Sequence, residues 1–567
     1  MDMRKIALSL LFTAVAATAF STVKPRYRGA GRGAVHEEAE VENVYTPGGP
    51  RRIGTRASAA LPSMGSPKIP VILVQFPNKH FVSGLAEGDS CTDESKQELV
   101  RQFYDKYCNG DGTSEYWKDG GSFGSIREYF RDQSNGQFTP EFVVIGPVTL
   151  DNSYGYYGAN SANSHDVRIS TFYADAMKKA VKTSDAWNEF DNNGDIVVDM
   201  AFFIYAGEGE NGFDVKENPD AANYIWPKES PSGGTIGNVR VGAYACCNEI
   251  YQGEVDGIGV FVHELSHALG LPDFYDTKYV AYGLDYWDIM DSGCYCNNGR
   301  TPCNYSAYER DFMGWKSLTV LDGATPQHIK IEPMSSFGDA YKIVNPNNAN
   351  EYLIIENRQN DLWDAYVGRS GQNVKFHGLL VTHVDYSQNR WTSNTVNTNA
   401  SHQNISIIPA DGKLDSYMYV KDGTDYNNFM YSSWGDPYPG YMKVNSIENI
   451  ETVNMYVTNT KMVNGVTAKD TTTYVLPVAY TGKFDISPFN QPIRNIVEHS
   501  DGTIEFDYCP NGLEPEEADI AGVQLDQPRN ASSIYNLQGQ CVATSNSEIH
   551  LLPAGIYISR GKKIRIQ

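Results

Sequence analysis

The sequence predicts a mixed α/β (α+β) domain, then an all-β, sandwich-like domain, then a short β module at the C terminus. Three observations lead there. Between residues 66 and 325, apolar β-branched runs alternate with stretches of helical period, the pattern of an α/β unit. From 326 to 511, short strand-like runs alternate with Asn, Gly and Asp turns and convincing helical patterns are missing. A Pro- and acid-rich linker at 512–531 leads into residues 532–567, where SIYNLQGQ, a polar turn and LLPAGIYISRGKKIRIQ read as a small hairpin module.

Taken in order, the chain opens with Arg4 and Lys5 and an apolar run from Ile6 to Phe20. Ala17-Thr18-Ala19 supplies the small residues of a signal-peptidase cut, so residues 1–19 read as a signal peptide. The run is shorter than the roughly eighteen residues a membrane span needs, and no later segment is long and apolar enough either. The expectation is an exported chain without a transmembrane segment, secreted or at the cell surface. Residues 20–65 lack hydrophobic periodicity and carry the basic pair Arg51-Arg52, as a propeptide or linker would.

Buried strands are expected at Ile69 to Phe76 and Asp199 to Tyr205, and a helix at Thr171 to Val181. In the β-rich part, strands are expected at Glu351 to Glu356, Gly378 to Val384 and Ile405 to Ile408. Nine cysteines in an exported chain permit disulfides, with Cys91 and Cys108 able to close a loop. The excess of 69 acidic over 46 basic residues, a net charge of −23, excludes a phosphate backbone as partner: no nucleic acid.

The chemistry sits in residues 258–277, IGVFVHELSHALGLPDFYDT. His263 and His267 are four apart, so on a helix their imidazoles share one face and can bind one cation. Glu264 then stands beside the metal as the general base for its water. Two imidazoles, a carboxylate and an open position suit zinc. Gly270 allows the chain to reverse one turn later, with Pro272 stiffening the return, and so brings Asp273 back as third ligand. Glu309, on the later segment SAYERDF, is the rival third ligand. Asp276 would orient a histidine or cap the next turn, and Tyr295 and Tyr308 are candidates to stabilise an oxyanion.

Other clusters carry less. Asp191, Asn193, Asp195 and Asp199 are spaced like the oxygen ligands of a calcium loop. Ile196 and Phe202 stand where an EF-hand needs Gly and Glu, so the alternatives are a non-EF calcium site or a solvated turn. Cys294, Cys296 and Cys303 lack a C-x-x-C pair and make a poor zinc set. His377, His383 and His402 read as structural.

Seventeen residues past Asp273, YWDIMDSG (286–293) places Met290 among turn formers. This resembles the methionine turn beneath the histidines of metzincin-type metalloproteases. GSFGSIREYFRDQSNGQF (121–138), FDNNGDIVVDMAFFIYAG (190–207), GVFVHELSHALGLPDFYD (259–276), SAYERDFMGW (306–315), ENRQNDLWDAY (356–366) and HGLLVTHVDY (377–386) extend the resemblance. Together the chain resembles the M6 peptidases, the immune-inhibitor-A-like family of secreted zinc metalloproteases, over most of residues 65–510. The tail resembles the C-terminal sorting modules of Bacteroidetes secreted proteins.

The resemblance implies a metzincin-like catalytic domain, a zinc endopeptidase activity on protein or peptide substrates, a zymogen, and a secretion machinery that reads the C-terminal module. The contrasting reading is a non-catalytic adhesin or glycan-binding protein with a structural metal. Intact Glu264 argues against it, since a structural site needs no base.

Overall fold

A computed structural model describes residues 20–21, 60–110, 124–161, 164–181, 185–213, 218–277, 281–367, 376–399, 401–415, 419–421, 424–426, 435–440, 442–448, 452–463, 466–477, 490–515, 534–537, 541–543, 550–559 and 562–566. The signal-peptide reading falls outside these residues, as does nearly all of the 20–65 segment.

The first layer is a mixed sheet. Its main strands are β1 (Lys68–Gln75), β2 (Glu141–Thr149), β3 (Val198–Glu208), β4 (Lys228–Ser230) and β5 (Val239–Tyr251), in the spatial order β4, β5, β3, β1, β2. All run parallel except β4, which pairs antiparallel with β5. Among the described residues, what lies beyond β4 is the two-residue strand Phe20–Ser21, with Phe20 opposite Glu229 and Ser21 opposite Lys228.

The strand period of two explains why both faces are buried. Val71 and Leu73 of β1, with Met200, Phe202 and Ile204 of β3, enter one core. Their neighbours Ile72, Val74, Ala201, Phe203 and Tyr205 enter another. Helix α1 (Glu94–Asn109), started by the Asp93 side chain on the Lys96 N–H, contributes Val100, Tyr104, Tyr107 and Cys108 to the first core. Helix α2 (Ile126–Gln133), opened by a Ser125/Glu128 capping box, joins it. The second core is covered by α3 (Ile169–Ala180), whose Phe172, Tyr173, Ala176, Met177 and Ala180 recur at helical spacing. The expected strands and helix are therefore present, with ends shifted by one to three residues.

Downstream, β6 (Tyr341–Asn345), β7 (Asn348–Arg358), β8 (Gly378–Asp385) and β9 (Ile405–Ile407) pair antiparallel in the order β9, β8, β7, β6. A separate sheet joins Gln327–Ile331, Ile504–Tyr508 and Ile493–Glu498. Short helical turns at Leu362–Tyr366 and Gln388–Thr392 interrupt a part expected to hold strands only. Near the C terminus, Gly555–Ser559 and Lys562–Ile566 form an antiparallel pair. Ile354, Leu380 and Phe506 belong to the same hydrophobic cluster as Phe202, so one core runs across residue 325.

That shared core carries a buried ion pair. Arg358 is fully buried and grips Asp364 through Nε and Nη2 at 2.7 and 2.8 Å, while Nη1 donates to the Trp287 carbonyl at 2.9 Å. Arg358→Ala would leave Asp364 as a buried charge without its cation. The expected loss of stability is about 3–5 kcal/mol, read as a lower urea midpoint.

The loop closure expected of Cys91 and Cys108 does not form. Cys91, Cys108, Cys246, Cys247, Cys294, Cys296, Cys303 and Cys509 are all free buried thiols. Cys91 and Cys108 pack as small apolar residues in the core around α1, and burial pushes the Cys91 thiol up to about 11.

Candidate metal centre

Helix α4 (Gly259–Ala268) carries both histidines, and all ten of its residues are buried. Phe261 fixes it to the sheet, stacked on Phe202 at 3.6 Å between centroids and edge-on to Phe142 at 5.5 Å. At its start the helix comes so close to the next segment that a Cβ on Gly259 would lie 1.8 Å from the Cys294 carbonyl oxygen. At its end Gly270 adopts φ +111°, with Gly270 N–H on His267 O and Leu271 N–H on Ser266 O. This is a Schellman closure, and it turns the chain back towards the helix as the glycine implied.

The turn delivers Asp273. Its Oδ1 lies 3.2 Å from His263 Nε2 and 3.3 Å from His267 Nε2, and the two imidazoles stand at 85° to each other. Ligand atoms around a tetrahedral zinc with bonds of ~2.0–2.2 Å are about 3.3–3.6 Å apart. The spacing therefore fits one zinc ion. His263 Nε2 and Asp273 Oδ1 are fully buried without a hydrogen-bond partner, which is costly unless a cation answers them.

The other imidazole nitrogens are committed. His263 Nδ1 bonds the Ile289 carbonyl at 2.8 Å and His267 Nδ1 the Leu271 carbonyl at 2.8 Å, which leaves each Nε2 lone pair for a metal. Burial pushes the His267 imidazole down to about 4. At His263 burial acts the same way, but the facing Asp273 carboxylate and Cys294 thiol outweigh it and raise the pKa. Burial alone would raise Asp273, yet the two imidazoles hold it down to about 2. An ionised carboxylate is the form a metal takes.

The strap around Met290 is tied to both ligand segments. Ile289 O holds His263, and Met290 O accepts the Phe274 N–H at 2.9 Å. Asp288 Oδ1 and Asp291 Oδ2 take backbone N–H groups of the strap and its approach, at Met290, Leu284 and Asp285. Met290 itself is fully buried.

Glu264 follows His263 on α4 and is fully buried. Glu309 is elsewhere: it is the third residue of α5 (Ala307–Met313), accepting the Ser306 N–H at 2.7 Å in a capping box. Asp276 accepts the Ala281 N–H at 2.8 Å. Tyr295 lies against Tyr251 with its hydroxyl near Asn211 Nδ2, and Tyr308 packs on Phe274.

Among the described residues a second acidic group, Asp191, Asp195 and Asp199, brings its carboxylates within 4.8 Å of one another, whereas Cys294, Cys296 and Cys303 form no such group. Asp191 already accepts the N–H groups of Gly194, Asp195 and Ile196, and Asn193 Nδ2 donates to Asp199 Oδ1 at 3.0 Å. These are the bonds of a capped turn. His377, His383 and His402 each pair with one acid, Glu498, Glu351 and Asp385 respectively.

Spacing rules did not find several residues beyond 318 that brace the site. Asn394 bonds Asp273, Asn397 Nδ2 donates to the Phe274 carbonyl at 2.7 Å, and Gln403 Oε1 accepts the Gly283 N–H at 2.8 Å. Asp436 accepts the Trp287 indole N–H at 2.8 Å. Their only sequence signal is the density of asparagines between 389 and 404.

Comparison with known proteins agrees with this geometry. Residues 58–318 match the immune inhibitor A peptidase M6 catalytic domain. The chain is 27% identical over 259 residues to immune inhibitor A of Bacillus thuringiensis subsp. alesti, covering 40% of this chain and 38% of that protein. It is 27% identical over 223 residues to the pre-pro-metalloprotease PrtV of Vibrio cholerae serotype O1, covering 34% and 24%. The aligned stretch thus spans well under half the length of either relative. Residues 58–318, with their buried pair of histidines and facing aspartate, thus match the catalytic domain of the M6 peptidases, the family to which this part of the chain is similar.

Proposed function

We propose that this chain is an exported zinc endopeptidase of metzincin-like architecture, followed by a β-rich domain and a C-terminal module that a secretion machinery reads. The observation that carries the reading is the convergence of His263 Nε2, His267 Nε2 and Asp273 Oδ1 next to Glu264 on one buried helix. When bound, zinc lowers the pKa of its water to ~7 and polarises the scissile carbonyl. His263, His267 and Asp273 would hold the ion. Glu264 takes the proton of the attacking water and later delivers it to the leaving amine. With Phe20–Ser21 displaced, the antiparallel strand β4 would offer backbone groups to an extended peptide.

Purified protein should cleave casein or gelatin, lose that activity to a zinc chelator, and regain it on addition of zinc. Mass spectrometry of the products should find new peptide termini. Binding of protein or glycan without cleavage would support the adhesin reading instead.

We also propose that residues 20–65 are removed or displaced on activation. Phe20–Ser21 pair with β4, the strand an extended substrate would need. The expected result is that the active form no longer begins at Phe20 by N-terminal sequencing. Full activity with Phe20 still at the N terminus would contradict this. Calcium is proposed at the Asp191–Asp199 loop, as a structural ion whose removal lowers the melting temperature without taking the zinc.

A further inference from the structure

We propose that Asn394, well outside the matched catalytic domain, is a positioning residue that fixes the carboxylate of Asp273 as a one-oxygen zinc ligand. The inference rests on the zinc reading above. Asn394 grips Asp273 twice: its Oδ1 accepts the Asp273 N–H at 2.8 Å, and its Nδ2 donates to Asp273 Oδ2 at 2.7 Å. The backbone N–H settles which end of the amide is oxygen, so the NH₂ end must face the carboxylate.

The consequence is a division of labour between the two carboxylate oxygens. Oδ2 is occupied by a short, charge-assisted hydrogen bond. Oδ1 is left facing both imidazole nitrogens at 3.2 and 3.3 Å. Without Asn394 the carboxylate can rotate and bind through both oxygens or through neither, and the fourth position for water is no longer kept open.

Asn394 is itself held. It sits at φ +55°, a left-handed conformation asparagine tolerates, just after the short helix Gln388–Thr392. Asn397 anchors the same loop, bonding the Phe274 carbonyl on one side and Ile405 of β9 on the other. Asn394 and Asp273 are both buried, at 8% and 1% exposure, so water does not readily replace the amide.

The test compares three variants with the wild-type full chain. Asn394→Ala removes both bonds. Asn394→Asp keeps an acceptor for the Asp273 N–H and loses only the donor to Oδ2. Thr392→Ala loosens the end of the short helix before Asn394, removing the hydroxyl that bonds the Gln388 and Asn389 carbonyls, without touching the site. Zinc affinity is measured by competition with a chromophoric chelator, folding by circular dichroism, and ligand geometry by the visible spectrum of the cobalt-substituted protein.

Both Asn394 variants should bind zinc about 10–100-fold more weakly and shift the cobalt bands. Thr392→Ala should stay within about threefold of wild type. Zinc affinity within threefold of wild type in both Asn394 variants would overturn the proposal. So would an equal loss in Thr392→Ala, which would assign the effect to the loop. A wild-type chain that takes up no zinc would instead overturn the zinc reading itself.

Discussion

Glu264→Gln should leave a folded protein that binds one equivalent of zinc and hydrolyses casein at least about 100-fold more slowly than wild type. General acid–base catalysis supplies roughly 10²–10⁴ in rate, and glutamine has the shape of glutamate but cannot take the proton of water. The residue lies on the same buried turn of α4 as the histidines, so a neutral, near-isosteric replacement disturbs little packing. Retained zinc is the control that separates loss of the base from loss of the site. Activity within tenfold of wild type would remove Glu264 from the mechanism.

The second large effect concerns the third ligand. Asp273→Ala should weaken zinc binding more than about 100-fold, beyond the 10–100-fold typical of an outer-shell partner. Glu309→Ala should leave zinc content unchanged. It should cost stability, about 1–3 kcal/mol, because the Ser306 N–H and hydroxyl lose their acceptor in a buried cap. Metal analysis and urea unfolding on the two variants give opposite patterns under this account. Zinc loss in Glu309→Ala with zinc retained in Asp273→Ala would move the enzyme into the class whose third ligand is a glutamate on a second helix.

The trio was legible in the sequence because two kinds of local geometry act on it. A four-residue spacing becomes a shared helix face, and a glycine free to take φ +111° becomes a chain reversal that returns Asp273 to that face. The main strands were legible for a similar reason, since continuous apolar runs mark strands buried on both sides.

What stayed hidden depends on partners distant in the chain. Asn394 meets Asp273 across 121 residues, and no spacing rule reaches that far. The groups that orient the histidines are the backbone carbonyls of Leu271 and Ile289, which any residue type could supply. Strand β4 is three residues long and includes a buried lysine and a buried glutamate, a pattern no period reveals. The free cysteines were unreadable because a buried thiol and half of a disulfide look alike in sequence.

The most direct measurement is a crystal structure of the zinc-loaded chain with anomalous diffraction recorded on both sides of the zinc absorption edge. The account predicts one strong peak ~2.0–2.2 Å from His263 Nε2, His267 Nε2 and Asp273 Oδ1, with no fourth protein ligand. A zinc peak bonded to Glu309, or found only among Cys294, Cys296 and Cys303 or at the Asp191 loop, would contradict it.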